Sequence, residues 1–159
     1  MTKHIADKAP AALELRLAEQ SGVTIEYLVQ GTGPQIFILP SLGRGPADFD
    51  SVAAWLADRG YTVIRPLPRG MGRSTGPCEG ISLGDLAKDI ALVICQEGYR
   101  RPVVAGHAFG NFVARMLATM DSGLVRGVAL LAASAGKTAT GEPAISAKLM
   151  ASVYGSGDA

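Results

Sequence analysis

The chain is poor in the residues that carry most site chemistry. Its 159 residues include two cysteines, two histidines and one tryptophan. Cys78 and Cys95 are too few for a disulfide framework. No Cys/His cluster has zinc spacing, so neither a metal nor a cofactor is expected. Charge of one sign is also lacking, since the formal net charge is +1 with Lys and Arg spread along the chain. That balance argues against nucleic-acid or anionic-membrane partners. No apolar run reaches membrane-spanning length. Met1–Gln20 mixes charged and apolar residues, unlike a signal peptide. A reducing, cytoplasmic setting is the resulting expectation. What is present is a hydrophobic content of 48% against 18% charged residues, which is the composition of a globular domain with a real core.

The apolar pattern changes period along the chain. Alternation at Leu13–Ala18 and Val23–Val29 around Ser21-Gly22 predicts an antiparallel hairpin. Gly31-Thr32-Gly33-Pro34 predicts a turn, and Gln35–Leu39 a short apolar strand. A helix is expected from Asp48, with Phe49, Val52, Ala53 and Leu56 on its apolar face and Gly60 as its stop. Tyr61–Arg65 reads as a strand and residues 66–80 as a long Gly- and Pro-rich loop. Ser82 is placed to cap a helix bearing Leu86, Ile90, Val93 and Ile94. Pro102–Ala105 is the next strand, and Phe109–Met120 a helix with Phe112, Val113, Met116 and Leu117 as its buried stripe. Val125–Ala132 reads as a further buried strand, Ile145–Val153 as a short helix and Gly155–Ala159 as a polar tail. A hairpin followed by strand–helix repeats with nearly uniform apolar strands predicts an α/β fold, with a mostly parallel sheet and helices on both faces.

Residues 105–111 read Ala105-Gly106-His107-Ala108-Phe109-Gly110-Asn111 between the strand and the helix. This is the Gly-x-Ser-x-Gly frame of a nucleophile elbow with alanine at the nucleophile position. Gly106 and Gly110 remove side chains where strand and helix approach closely. Two more loops follow apolar strands: Pro40-Ser41-Leu42-Gly43-Arg44-Gly45, and Arg65-Pro66-Leu67-Pro68-Arg69-Gly70-Met71-Gly72-Arg73-Ser74. On these strings and their spacing, residues 13–135 resemble the N-terminal part of the α/β-hydrolase family, which includes esterases, epoxide hydrolases, haloalkane dehalogenases and C–C bond hydrolases.

The resemblance implies an α/β-hydrolase fold, probed here by its first strands only, and hydrolysis of an ester-type or related bond in a small organic substrate. It places Ala108 at the nucleophile position and assigns the backbone amides of Leu42 and Phe109 to an oxyanion hole. Ser41 and His107 become candidate pocket residues, each weighed against a simpler role: a turn residue for Ser41, a packed structural histidine for His107. Residues 1–140 are expected to form the N-terminal part of the core and 141–159 the start of a cap.

The departures from the family pattern bear on function. Pro40-Ser41 stands where the family usually has His-Gly, Leu67 where it has Asp, and Ala108 where it has Ser. The triad acid and histidine come later in the family's chain order, so no triad can be assembled here. Asp85, Asp89 and Asp121 read as solvated helix-face or helix-end charges, and Asp158 lies in the polar tail. His4 is the only other histidine. An apolar strand at 125–132 would be left as an open sheet edge, so the expected partner is the C-terminal remainder of the same protein or a complementary chain.

Two function classes stay open. The chain is part of a hydrolase with a natural or engineered alanine, or it is a non-catalytic, hydrolase-like binding protein. The accompanying departures at Pro40-Ser41 and Leu67 favour a natural alanine, because a knock-out changes one position. A third class, nucleotide binding through Gly136-Lys137-Thr138, fails because the phosphate loop needs glycine where Leu131 stands.

Overall fold

The computed structural model describes residues 11–133 and Val153. Expectations for His4, the 136–138 segment, the Ile145–Val153 helix, the cap start at 141–159 and the tail with Asp158 lie outside the described residues, apart from Val153 itself. The elements run β1 (Leu13–Gln20), β2 (Val23–Gln30), β3 (Gln35–Leu39), α1 (Asp50–Asp58), β4 (Thr62–Pro66), α2 (Leu83–Gln96), β5 (Val103–His107), α3 (Gly110–Met120) and β6 (Gly127–Leu131). They form one sheet in the order β1-β2-β4-β3-β5-β6. β1 and β2 pair antiparallel, as do β2 and β4, and the β4-β3-β5-β6 ladder is parallel.

The hairpin turns on Ser21 and Gly22, both at positive φ (49° and 81°), the backbone whose twist matches that of the flanking strands. The register runs from Gln20↔Val23 out to Leu13↔Gln30, so β1 is longer than its alternating apolar stretch. β4 is buried along its whole length, as a strand covered on both faces should be. α2 and α3 cover one face, where the main core gathers Ile25, Tyr27, Phe37, Ile64, Val93, Ile94, Val104 and Leu117. α1 covers the other face, over a smaller cluster of Ile38, Ala53 and Val63.

Several expectations are corrected. α1 starts at Asp50 and not Asp48, because Pro46–Phe49 forms a separate 3-10 turn with proline in its first positions. Its buried residues are Ala53 and Ala57, whereas Val52 is 49% exposed. In a helix this short, sitting over a small cluster, the contact stripe is too narrow to include Val52. In α3, Val113 and Leu117 are buried, but Phe112 and Met116 are only half-buried. β6 spans only Gly127–Leu131, and Val128, Leu130 and Leu131 are exposed. It pairs with β5 on one side, and no strand among the described residues pairs with the other. Among the described residues the apolar run therefore lies at an open edge, as the topology of the sequence anticipated, and not buried, as its composition suggested.

Candidate functional site

The strand ends, β3 to its loop, β4 to its loop and β5 to α3, all leave the same edge of the sheet. The β5–α3 turn is the sharpest. Ala108 sits at φ +47°, a left-handed conformation that costs a non-glycine residue about 1–2 kcal/mol. The turn persists because its neighbours leave no alternative. A Cβ on Gly106 would lie 2.3 Å from the Gly110 carbonyl oxygen, and one on Gly110 would lie 2.5 Å from the Leu39 carbonyl oxygen. Both distances are impossible for a side chain, so both glycines are required by packing. The Ala108 amide donates to the Leu131 carbonyl at 2.9 Å, which ties the turn to the end of β6.

Asn111 completes that tie. It is fully buried, and its Nδ2 donates to the Ala108 carbonyl at 3.0 Å and the Leu131 carbonyl at 2.8 Å. Each carbonyl also accepts a backbone amide, so the Asn111 side chain supplies its second hydrogen bond. Among the described residues, neither the Leu42 nor the Phe109 amide donates to a backbone acceptor. Phe109 opens the first turn of α3, where the helix dipole favours negative charge. Ser41 accepts the Arg44 amide at 3.1 Å through its carbonyl, so it is a turn residue.

Ser41, Phe109 and Gly110 share the wall of an apolar cavity of about 40 Å³, which lies between the ends of β3 and β4 and the first turns of α2 and α3. Leu67 lines it too. Leu42 packs against the main core, just beyond Ser41. His107 points the other way, as the alternation of a strand requires. Its ring packs edge-on to Phe49 with centroids 5.8 Å apart, on the α1 side of the sheet. The sequence-predicted set is thus split. Ser41, Phe109 and Gly110 come together, while His107 sits on the opposite face.

The loop after β4 is held by polar pairs. Arg69 and Asp89 are both buried and form a bidentate ion pair, Nε to Oδ2 at 2.8 Å and Nη2 to Oδ1 at 2.7 Å. A third bond runs from Arg69 Nη1 to the Pro77 carbonyl at 2.7 Å. Burial raises the Asp89 carboxyl above the usual carboxylate range against the opposing pull of Arg69, and the bond to Asp89 raises the Arg69 guanidinium. Asp89 is therefore not the solvated charge expected from the sequence. Ser74 donates to the Leu67 carbonyl at 2.8 Å and accepts the Glu26 amide at 2.9 Å, which stitches the loop to β2. Glu26 in turn accepts the Arg73 amide.

Asp85 closes a capping box with Ser82, as the serine predicted. Its carboxyl is pulled down to about 2, chiefly by the Ser82 hydroxyl. Asp121 accepts the Gly123 and Leu124 amides just beyond α3, a helix-end role. Asn111 and Asp89 were missed for the same reason. Each lies on the apolar stripe of its helix, Asp89 three residues after Leu86 and four before Val93, Asn111 three before Ala114. A polar residue in such a stripe is the signal that finds both.

A strand, a strained residue at positive φ, two glycines without room for a side chain and a helix opening on free amides define a nucleophile-elbow scaffold of the α/β type. The sequence comparisons agree with the geometry. The model of the Alpha/beta hydrolase family matches residues 36–157, and the chain belongs to that family. It is 34% identical over 113 residues to a non-heme haloperoxidase of Rhodococcus erythropolis, covering 70% of this chain and 41% of that protein. It is 29% identical over 111 residues to a soluble epoxide hydrolase of Corynebacterium sp. (strain C12), covering 70% of this chain and 38% of that protein. The ligand-free structure of epoxide hydrolase CorEH superposes with a TM-score of 0.70 at 26% identity, over 80% of this chain and 46% of that one. The chain thus spans well under two thirds of the length of these relatives. Among the described residues no helix is long and apolar enough to cross a membrane, and no group of side chains is arranged to hold a metal ion.

Proposed function

We propose that the chain supplies the elbow half of a hydrolase-type site for a small organic substrate, and that position 108 contributes geometry without a nucleophile. The observation that carries this is Ala108 at φ +47° between two glycines that have no room for a side chain. The backbone is built as if to present a nucleophile, and a methyl group stands there. An epoxide hydrolase and a 2-(acetamidomethylene)succinate hydrolase among the relatives bear names that denote small organic substrates.

In this reading the Leu42 and Phe109 amides hold the oxygen of a polarised carbonyl. No covalent intermediate can form on residue 108, so water must add directly. The acid and histidine that would move protons lie outside residues 11–133, on the remainder of the protein or on a complementary chain. Ala108→Ser in the full-length protein is expected to raise p-nitrophenyl acetate hydrolysis by at least about tenfold over the unsubstituted protein, because a positioned hydroxyl restores nucleophilic attack. Hydrolysis no faster than the buffer rate in both the unsubstituted and the Ala108→Ser protein overturns the hydrolase reading.

A second reading, a non-catalytic binding protein for small molecules, is favoured by one particular contact. Leu67, at a position where the family usually carries an acid, lines the apolar cavity beside the elbow. A site that has lost both its nucleophile and that carboxylate keeps shape and apolar surface for binding.

A further inference from the structure

Part of the lining of the cavity beside the elbow comes from residues that the family pattern does not account for. Pro40, Ser41 and Leu67, the positions outside the elbow where this chain departs from that pattern, all line it. Leu86 and Ile90 of α2 and Val113 of α3 close it from the helix layer. Phe109, whose amide opens α3, is part of the same wall. The one charged side chain in the lining, Asp89, has both carboxylate oxygens engaged by Arg69, so it offers nothing to a cationic or hydrogen-bonding group. The cavity measures about 40 Å³. One water needs about 10–15 Å³ on this measure, so the space takes about three non-hydrogen atoms. It is apolar, and apolar cavities gain by exchanging poorly bonded water for hydrocarbon.

We infer that this cavity is a specificity pocket for a short aliphatic arm, about three carbons long, on a neutral carbonyl compound whose polar end meets the Phe109 amide in the same wall. The inference rests on the reading of the elbow as a ligand site and names the class of ligand. It requires no chemistry at position 108. Asp89, neutralised by Arg69, lies in the wall, Leu67 adds an apolar face to the lining, and the fixed helix layer limits the length of the arm.

The test is methyl NMR of the full-length protein, observing Ile25, Ile90 and Val113 during titration with acetamide, butyramide and octanamide. Butyramide is expected to shift these methyls saturably and to bind about fifteenfold more tightly than acetamide, from its two extra buried methylenes. Octanamide should gain nothing further. Ile90→Phe fills the pocket and should abolish the butyramide shifts. Should that variant fail to fold, Leu67→Asp, at a half-buried position, places a carboxylate in the lining and should weaken butyramide at least about fivefold. Equal affinity for acetamide and butyramide, or butyramide shifts that survive either substitution, overturns the inference. Butyramide binding with an inert Ala108→Ser protein would keep the pocket and remove the hydrolase reading. Active Ala108→Ser without butyramide selectivity would do the reverse.

Discussion

The elbow at 106–110 and the loop at 66–80 leave the same edge of the sheet, yet they keep their shapes by opposite means. The elbow is shaped by missing side chains: Gly106 and Gly110 let backbone pack on backbone, and Ala108 is driven to positive φ. The 66–80 loop is shaped by side chains that are present, through the buried Arg69–Asp89 pair and the Ser74 bonds to Leu67 and Glu26. Crowding of backbone admits no substitute. A buried ion pair can be exchanged for apolar residues of similar volume, because its attraction is largely offset by desolvation. The two regions should therefore respond differently to mutation.

The largest effect is expected at the elbow. Gly106→Ala puts a methyl 2.3 Å from the Gly110 carbonyl oxygen, which only a backbone shift can relieve. A loss above about 4 kcal/mol in a denaturant titration, or failure to accumulate folded protein, is the expected outcome. A loss under about 1 kcal/mol would show that the turn can open, and the contrast would collapse.

Next in size is the loop. Asp89→Ala strands a buried guanidinium and should cost about 3–5 kcal/mol. Replacing both partners, Arg69→Met with Asp89→Leu, should recover most of it. Equal losses in the single and double variants would mean that the pair itself carries the loop.

The smallest effect concerns the start of α2, the helix that carries Asp89. Ser82→Ala should cost about 1 kcal/mol at neutral pH. Asp85 ionises at about 2 in the fold against its ordinary 3.8, so the folded state favours the carboxylate. That contribution is complete above pH 3.8 and is lost as the pH falls towards 2. Thermal melts across this range should show the loss in the unsubstituted protein and a flatter profile in Ser82→Ala.

The backbone side of this contrast was legible in the sequence. Glycines at fixed spacing after an apolar strand mark the elbow, and the change from alternating to helical periodicity marks the layers. The side-chain side was less so. Asp89 reads as solvated until its place between Leu86 and Val93 is weighed, because its partner Arg69 lies twenty residues away on a loop with no period of its own. β6 was read both ways, as buried by its composition and as an open edge by its place in the chain, and the exposure of Val128, Leu130 and Leu131 follows the second reading. A hydrophobic run states what a strand is suited to, and only the neighbouring strands decide whether it is covered. His107, a candidate pocket residue in the sequence with a packed role as its alternative, lies against Phe49, because strand alternation sends it to the face away from Phe109's cavity.

The central claim is that backbone packing imposes the left-handed turn on Ala108. The most direct test is the unfolding free energy of Ala108→Gly beside Ala118→Gly, a control within α3. At φ +47° glycine relieves strain, so Ala108→Gly should leave stability unchanged or raise it by up to about 1 kcal/mol. Ala118→Gly should lower it by about 1 kcal/mol, as glycine does inside a helix. Equal destabilisation by the two substitutions would contradict the account, because it would mean that residue 108 is not held in a left-handed turn.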